Sequence, residues 1–309
     1  MKNISPNYLR LFGIVIFIAI LIKIDMKYAC LIIKEMNIGD FCYAFLLVIP
    51  VFFISALRWY SFLKLQNIHY PFLSALLVNQ TSQFISFISP GRIGELIKVW
   101  YLKKDQDISY IKSTISVLVP RIMDATILIF CCIFGFSMLS IHIRIIIIAG
   151  IIVSILIFLS LLKTPVIQNK LMTIAEAYPF FANLKGLSDE VSLISSFKLI
   201  YCYTITLVLY LLFFHFCYYL SESVGLNINF NNILFVVSVG NVLSFLPISI
   251  AGIGTRDASY VLLLSSIGKS QEEAIVFSNL VLICFYLFGG ILGLISYLIK
   301  PIELKKAVI

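Results

Sequence analysis

The chain has 309 residues, of which 61% are hydrophobic and 12% charged, with a formal net charge of +8 and a mean hydropathy of +1.04. A soluble domain is typically about 45–50% apolar and about 25% charged, so this composition predicts an integral membrane protein without a separate cytosolic catalytic module. Lysine and arginine cluster in short segments between apolar runs, a distribution that follows the positive-inside rule and argues against a nucleic-acid partner.

The apolar runs predict membrane-spanning helices along a single domain, residues 1–309. The first run, residues 9–24, lacks a following small-residue cleavage site, so we interpret it as a retained helix and not as a signal peptide. Residues 163–198 are the longest polar segment, which we expect in the cytoplasm between two halves, residues 1–162 and 199–309. Further spans are predicted at residues 41–63, 113–139, 143–162, 199–220 and 274–299.

Two apolar stretches are broken by proline and glycine and carry charged residues. Residues 79–104 read NQTSQFISFISPGRIGELIKVWYLKK, and residues 241–257 read NVLSFLPISIAGIGTRD. Proline removes a backbone donor and clashes with the preceding turn, so each stretch predicts a helix that ends and then restarts. We expect Ser89 and Thr255 to cap the restarted helices.

The charge distribution favours one of two topologies for these stretches. If both are kinks in full spans, the lysines within residues 98–112 fall outside when the N-terminus is inside, against the positive-inside rule. If each stretch is the tip of a re-entrant hairpin, both termini and residues 98–112 are cytoplasmic, although Lys27 and Lys34 then lie outside. The sequence therefore predicts an all-α polytopic helical bundle with two glycine-broken, re-entrant hairpins, in inverted-repeat halves whose tips converge near the midplane.

The broken stretches contain the candidate substrate-binding residues. A restarted helix presents free N–H groups and partial positive charge at its N-terminus, which favours a phosphate group. Arg92 and Arg256 add a full charge with bidentate geometry, and glycine allows the backbone to approach a lipid headgroup. The predicted substrate-binding residues are Arg58, Gly91, Arg92, Gly94, Glu95, Arg121, Asp124, Gly252, Gly254, Arg256 and Asp257.

The arginines of the broken stretches also have a purely structural interpretation. Arg92 with Glu95, and Arg256 with Asp257, would neutralise each other, because a charge at the bilayer centre costs about 2.5–3.5 kcal/mol on insertion scales. The two carboxylates have a further possible role as proton carriers.

The other charged candidates have structural alternatives as well. Arg121 and Asp124 lie three residues apart on one helix face, where they would form a structural clamp. Arg58 precedes Trp59 at the end of a predicted span, where the pair would anchor the helix at headgroup level.

No motif predicts catalysis, a metal or a cofactor. The chain has three histidines and no HExxH, Walker or nucleophile-elbow pattern. Its seven cysteines, none in a CxxC spacing, are interpreted as small apolar side chains. We therefore expect no metal site and no cofactor.

These motifs resemble the flippase-like membrane family that includes the transmembrane region of lysylphosphatidylglycerol synthases. Residues 90–95, PGRIGE, match the family's Pro-Gly-Arg-x-Gly-Glu signature in full. Residues 252–257, GIGTRD, match its Gly-x-Gly-x-Arg-Glu signature, with aspartate where glutamate is usual. The Arg-Trp pair at residues 58–59 and the Arg-x-x-Asp spacing at residues 121–124 resemble two further family motifs, whereas Pro120 replaces an expected glutamate.

The resemblance implies movement of a phospholipid or lipid-linked intermediate between leaflets, with the motif residues lining the pathway. It does not imply synthesis of lysyl-lipid, which the bifunctional members perform in a cytosolic domain. We therefore predict a flippase or transporter of an anionic phospholipid or a lipid-linked glycan in the cell membrane.

Two other functions remain open from the sequence. The protein would be an intramembrane enzyme or accessory subunit of envelope lipid or polysaccharide synthesis, with Glu95 or Asp257 as base, or a membrane scaffold for a synthase. Envelope-synthesis enzymes would then be its partners.

Overall fold

The structure is a computed structural model that describes residues 26–89, 91–135, 196–245, 249–250 and 252–301. The predicted spans at residues 9–24 and 143–162, most of the polar segment at residues 163–198, and the basic C-terminal residues lie outside these ranges. Within the described residues the chain forms helices and no β-strand, which confirms the predicted all-α class.

The helices are, in chain order, α1 (Met26–Lys34), α2 (Ile38–Leu65), α3 (Phe72–Ile88), a 3-10 turn (Ile93–Leu96), α4 (Ile97–Gln106), α5 (Tyr110–Gly135), α6 (Ser196–Ser223), α7 (Phe230–Ser244), α8 (Thr255–Ser266), α9 (Gln271–Val281), a π-helical segment (Leu282–Leu287) and α10 (Phe288–Ile299). Among the described residues, α2, α5, α6 and the continuous stretch from α9 to α10 are long and apolar enough to cross a membrane. The protein is therefore a polytopic membrane protein.

Helices α3 and α4 form the first hairpin. The beginning of α3 lies beside the end of α4, since Tyr70 Oη donates a hydrogen bond to Asp105 Oδ2 at 2.5 Å. Burial and this hydrogen bond raise the pKa of the Tyr70 hydroxyl. At the tip, Ser89 Oγ accepts a hydrogen bond from Gly94 N at 2.8 Å, as predicted for a cap. The chain thus returns to the end of the bundle that it left.

Helices α7 and α8 form the second hairpin. They pack so closely that a Cβ atom at Gly240 would lie 2.4 Å from Cε1 of Tyr260. The Asp257 carboxylate accepts a hydrogen bond from Gly254 N at 2.9 Å and caps α8. The predicted cap, Thr255, does not fill this role, because its hydroxyl lies 2.7 Å from a serine hydroxyl.

The two hairpins open at opposite ends of the bundle. At one end, named the Lys300 end, Lys300 Nζ lies 2.6 Å from Asp105 Oδ2 and so links α10 to the first hairpin. At the other end, named the Ser223 end, Asn37 N donates to the Ser223 carbonyl at 2.8 Å. The second hairpin opens at this end, where α7 follows the loop after Ser223.

The two ends also differ in charge. The Lys300 end carries Lys64, Lys103, Lys104, Lys112 and Lys300 together with Asp105 and Asp107. The Ser223 end carries Glu35, Asp40, Glu222, Glu272 and Glu273 together with Lys27, Lys34 and Lys269, so lysines predominate only at the Lys300 end. The positive-inside rule therefore predicts that the Lys300 end faces the cytoplasm.

The re-entrant position of both hairpins stays a prediction that cysteine labelling tests. In a cysteine-free background, His69→Cys and Lys104→Cys are expected to react with an impermeant maleimide from the same side, because these exposed residues flank the first hairpin. Ser266→Cys, which is exposed at the end of α8, is expected to react from the opposite side. Labelling of the first two positions from opposite sides would show that the stretch crosses the membrane as a full span.

Candidate functional site

A cavity of about 80 Å³ lies where the tip of the first hairpin meets the end of α7. Its polar lining includes Arg58, Gln83, Arg92, Glu95, Asp124 and Asn241. Its apolar lining includes Phe52, Phe87, Phe213 and Phe285. The cavity is therefore amphipathic, with charged groups on one part of its wall and aromatic rings on another.

Two ion pairs bring distant parts of the chain together at this cavity. Arg58 of α2 pairs with Asp124 of α5, where Nη1 donates to Oδ1 and Nη2 donates to Oδ2 at 3.3 Å. Arg121 of α5 pairs with Glu95 of the hairpin tip, with 3.1 Å between Nε and Oε2. The predicted clamp between Arg121 and Asp124 does not form, because the two side chains contact different neighbouring elements.

Arg92 forms no ion pair with a carboxylate of the described residues, and the nearby Glu95 of the tip pairs with Arg121 instead. Its Nη2 donates to the Tyr286 hydroxyl at 2.8 Å and to Asn241 Oδ1 at 3.4 Å. Its Nε atom is buried without a hydrogen-bond partner in the described part of the chain. The alternative in which Arg92 and Glu95 neutralise each other by direct pairing is therefore not the observed arrangement.

The backbone of Arg92 is strained. It adopts φ 55° and ψ 30°, in the left-handed region, directly after Gly91 at φ 59°. This conformation costs a residue other than glycine roughly 1–2 kcal/mol, and such outliers cluster at functional sites. The strained turn carries the Arg92 side chain to the cavity.

The charged side chains that line the cavity, together with those that pair with them, have a net positive charge. They are three arginines, at positions 58, 92 and 121, and two carboxylates, Glu95 and Asp124. Because the two carboxylates are held in ion pairs, the remaining positive charge belongs to Arg92. The arrangement favours an amphiphile with an anionic group, whose apolar part would contact the aromatic wall.

The arginine and carboxylate of the second hairpin, Arg256 and Asp257, are more deeply buried than those of the first and pair with each other. Arg256 Nη2 and Asp257 Oδ1 are 2.9 Å apart, and their side chains are 1% and 0% exposed. Ser278 Oγ donates a further hydrogen bond to Asp257 Oδ1 at 2.5 Å. Neither charged residue lines the cavity. The geometry matches the structural alternative for this pair, and a role in substrate binding stays a prediction.

Two of the motif glycines, Gly94 and Gly252, lie in close contact with the helix that precedes each hairpin tip. A Cβ atom at Gly94 would lie 2.4 Å from the carbonyl carbon of Ile85 in α3. Gly252 has φ 77°, and a Cβ atom there would lie 2.5 Å from Ser244 Oγ. Gly94 and Gly252 thus allow each tip to pack on the preceding helix, which explains them without a lipid headgroup.

Arg58 and Trp59 lie inside the bundle and not on its outer surface, where an interfacial anchor would lie. Trp59 is 2% exposed, and its Nε1 donates to Ser116 Oγ at 3.4 Å. The ammonium group of Lys98, itself 6% exposed, lies 5.1 Å from the centre of the Trp59 ring. Both lysine and tryptophan are therefore inside the bundle, and Arg58 lies at the cavity.

Tyr286, which no sequence motif indicates, contacts Arg92 of the first hairpin and Arg256 of the second. Its ring centre lies 5.7 Å from Arg92 Cζ and 5.1 Å from Arg256 Cζ. It lies in the apolar run LVLICFYLFGG, where no motif distinguishes it from a residue of an ordinary span. Within the described residues, no group of three or more His, Cys, Asp or Glu side chains could hold a metal ion.

A family model described as the lysylphosphatidylglycerol synthase TM region matches residues 10–293. The match includes both hairpins and every residue of the cavity wall. No curated protein and no solved structure matches the chain.

Proposed function

Because the chain belongs to the lysylphosphatidylglycerol synthase TM region family, we propose that it moves an anionic phospholipid or a lipid-linked glycan between the leaflets of the cell membrane. The observation that carries this proposal is Arg92, whose charge at an amphipathic cavity is not matched by a carboxylate of the described residues.

The phosphate of the lipid binds to the guanidinium group of Arg92. Hydrogen bonds with an ionised donor or acceptor are roughly twice as strong as those between neutral groups. A zwitterionic lipid has the same phosphate, but its own ammonium group offsets that charge, so the unmatched charge of Arg92 favours a headgroup with net negative charge. Binding also cancels the excess positive charge of the cavity, which lowers the cost of holding either charge at bilayer depth. The ion pairs formed by Glu95 and Asp124 keep the other arginines neutralised when no lipid is bound.

The opposed hairpins provide a route to this cavity from both leaflets. The first hairpin opens at the Lys300 end and the second at the Ser223 end, with the cavity beside their tips. Opposed broken helices around a central site are a common plan of alternating-access transporters. Movement of one hairpin relative to the other would expose Arg92 to one leaflet at a time.

Arg92→Gln is expected to slow the exchange of labelled anionic phospholipid by about tenfold or more, because a hydrogen bond to a charged group contributes about 1.5–3 kcal/mol. The assay uses purified protein in vesicles and a membrane-impermeant quencher of outer-leaflet fluorescence. Lys104→Gln, which removes the same charge from an exposed position at the Lys300 end, is expected to keep the wild-type rate.

Two results would contradict the proposal. Wild-type protein that accelerates exchange of no anionic phospholipid or polyprenyl-phosphate sugar would exclude transport of these lipids. Equal rates for Arg92→Gln and wild type would exclude Arg92 as the headgroup site. Product formation by purified protein in detergent, where no leaflets exist, would favour the alternative of an intramembrane enzyme.

A further inference from the structure

Tyr286 contacts the tips of both hairpins from a third element. Its hydroxyl accepts a hydrogen bond from Arg92 Nη2 at 2.8 Å, and its ring centre lies 4.9 Å from that of Phe87, at the end of α3. The Arg256 guanidinium of the second hairpin lies 5.1 Å from the same ring. Tyr286 is 4% exposed and is not part of the cavity wall, so it contacts Arg92 from the protein side.

The π-helical segment determines where this side chain lies. Residues Leu282–Leu287 form the π-helix between α9 and α10. A π-helical turn contains one residue more than an α-helical turn and changes the rotation of the residues that follow by about 100°. In this segment Phe285 lines the cavity, whereas Tyr286 lies outside the cavity wall and its hydroxyl binds Arg92. π-helical turns occur frequently at functional sites.

The chemistry of the tyrosine hydroxyl suits one role in particular. A carboxylate in its place would orient Arg92 but would also cancel the charge that an anionic headgroup needs. A neutral hydroxyl accepts a hydrogen bond from the guanidinium and leaves that charge in place. Asn241 Oδ1, the second acceptor for Arg92, is also neutral.

We propose that Tyr286 is a positioning residue that orients Arg92 toward the anionic headgroup without neutralising it. This inference rests on the proposed function, in that it requires an anionic group at Arg92. It assigns no direct contact between Tyr286 and the lipid. The hydrogen bond from Arg92 to Tyr286 instead reduces the number of orientations that the guanidinium can adopt. Less conformational entropy is then lost when the lipid binds.

The test is Tyr286→Phe, which removes the hydroxyl and keeps the ring. In detergent, binding of short-chain phosphatidylglycerol to the purified full-length chain is expected to weaken by about two- to tenfold, because the Arg92 side chain must then be ordered when the lipid binds. In vesicles, the mole fraction of anionic lipid that gives half the maximal exchange rate is expected to rise by the same factor. The maximal rate and the weak binding of short-chain phosphatidylcholine are expected to stay unchanged.

Tyr260→Phe is the matched control. Tyr260 is fully buried, and its hydroxyl has no hydrogen-bond partner among the described residues, so its removal is expected to leave lipid affinity unchanged. Tyr286→Phe with wild-type affinity for phosphatidylglycerol would overturn the inference. An equal loss of affinity for both lipids would also overturn it, because a general structural role does not discriminate headgroup charge.

The detergent assay separates this inference from the proposed transport activity. If wild-type protein exchanges no lipid in vesicles but binds phosphatidylglycerol in detergent with the expected dependence on Tyr286, transport is contradicted and the positioning role is supported. If wild-type protein binds no anionic lipid in detergent, the positioning role is overturned as well.

Discussion

Asp257→Asn is expected to lower the free energy of unfolding by about 3–5 kcal/mol, the typical effect of removing one partner from a buried ion pair. The Asp257 carboxylate is fully buried and accepts hydrogen bonds from Arg256 Nη2, Gly254 N and Ser278 Oγ. Asparagine keeps the size of the side chain but leaves the Arg256 charge without a counterion. Denaturant unfolding in detergent micelles measures the loss.

A double variant tests whether the unmatched charge causes this loss. Arg256→Met combined with Asp257→Asn removes both charges, so it is expected to be more stable than the sum of the single effects predicts. Glu222→Gln, at the Ser223 end, is a control expected to change stability by less than about 0.5 kcal/mol. Wild-type stability for Asp257→Asn would show that the pair does not stabilise the second hairpin.

Gly94→Ala is expected to abolish most lipid exchange and to destabilise the protein by about 1–3 kcal/mol, the usual cost of overpacking. The added methyl group would lie 2.4 Å from the backbone carbonyl carbon of Ile85, which cannot move without shifting α3. Relief of this clash moves the tip away from α3, and the side chains of Arg92 and Glu95 move with it. The vesicle exchange assay and unfolding in detergent measure the two effects.

Gly290→Ala is the control for this substitution. It lies in α10, and an added Cβ atom would have Phe84 Cδ2 as its nearest neighbour, at 4.0 Å. Since this is ordinary van der Waals contact, and alanine is favoured over glycine in a helix by up to about 1 kcal/mol, no loss of stability is expected. Wild-type exchange by Gly94→Ala would contradict the requirement for close packing at the tip.

The two glycine motifs resemble each other in sequence but differ in their charge pairing. In the first, the carboxylate follows the arginine by three residues, and Glu95 pairs with Arg121 of another helix. In the second, the carboxylate is adjacent, and Asp257 both caps α8 and pairs with Arg256. This difference leaves Arg92 available at the cavity and holds Arg256 in a buried pair, so we expect the two arginines to have different roles.

Composition and the positions of the helix breakers are enough to predict the class of the protein. A chain that is 61% hydrophobic must satisfy its backbone hydrogen bonds within the membrane, which long helices do, and the observed all-α bundle follows from this. The proline and glycine positions predicted where the helices at residues 72–106 and 230–266 are interrupted, since these residues interrupt a helix locally. The PGRIGE motif likewise identified the family, which the match over residues 10–293 confirms.

The pairing of the charged residues, in contrast, depends on how the helices pack. Arg58 and Asp124 are 66 residues apart, and Arg92 and Tyr286 are 194 residues apart. Charge pairing in the bundle depends on which helix faces are in contact, and sequence neighbours such as Arg121 and Asp124 can each pair with a different element. Tyr286 resembles any aromatic residue of a span until the π-helical turn and the packing of the hairpin tips bring its hydroxyl to Arg92.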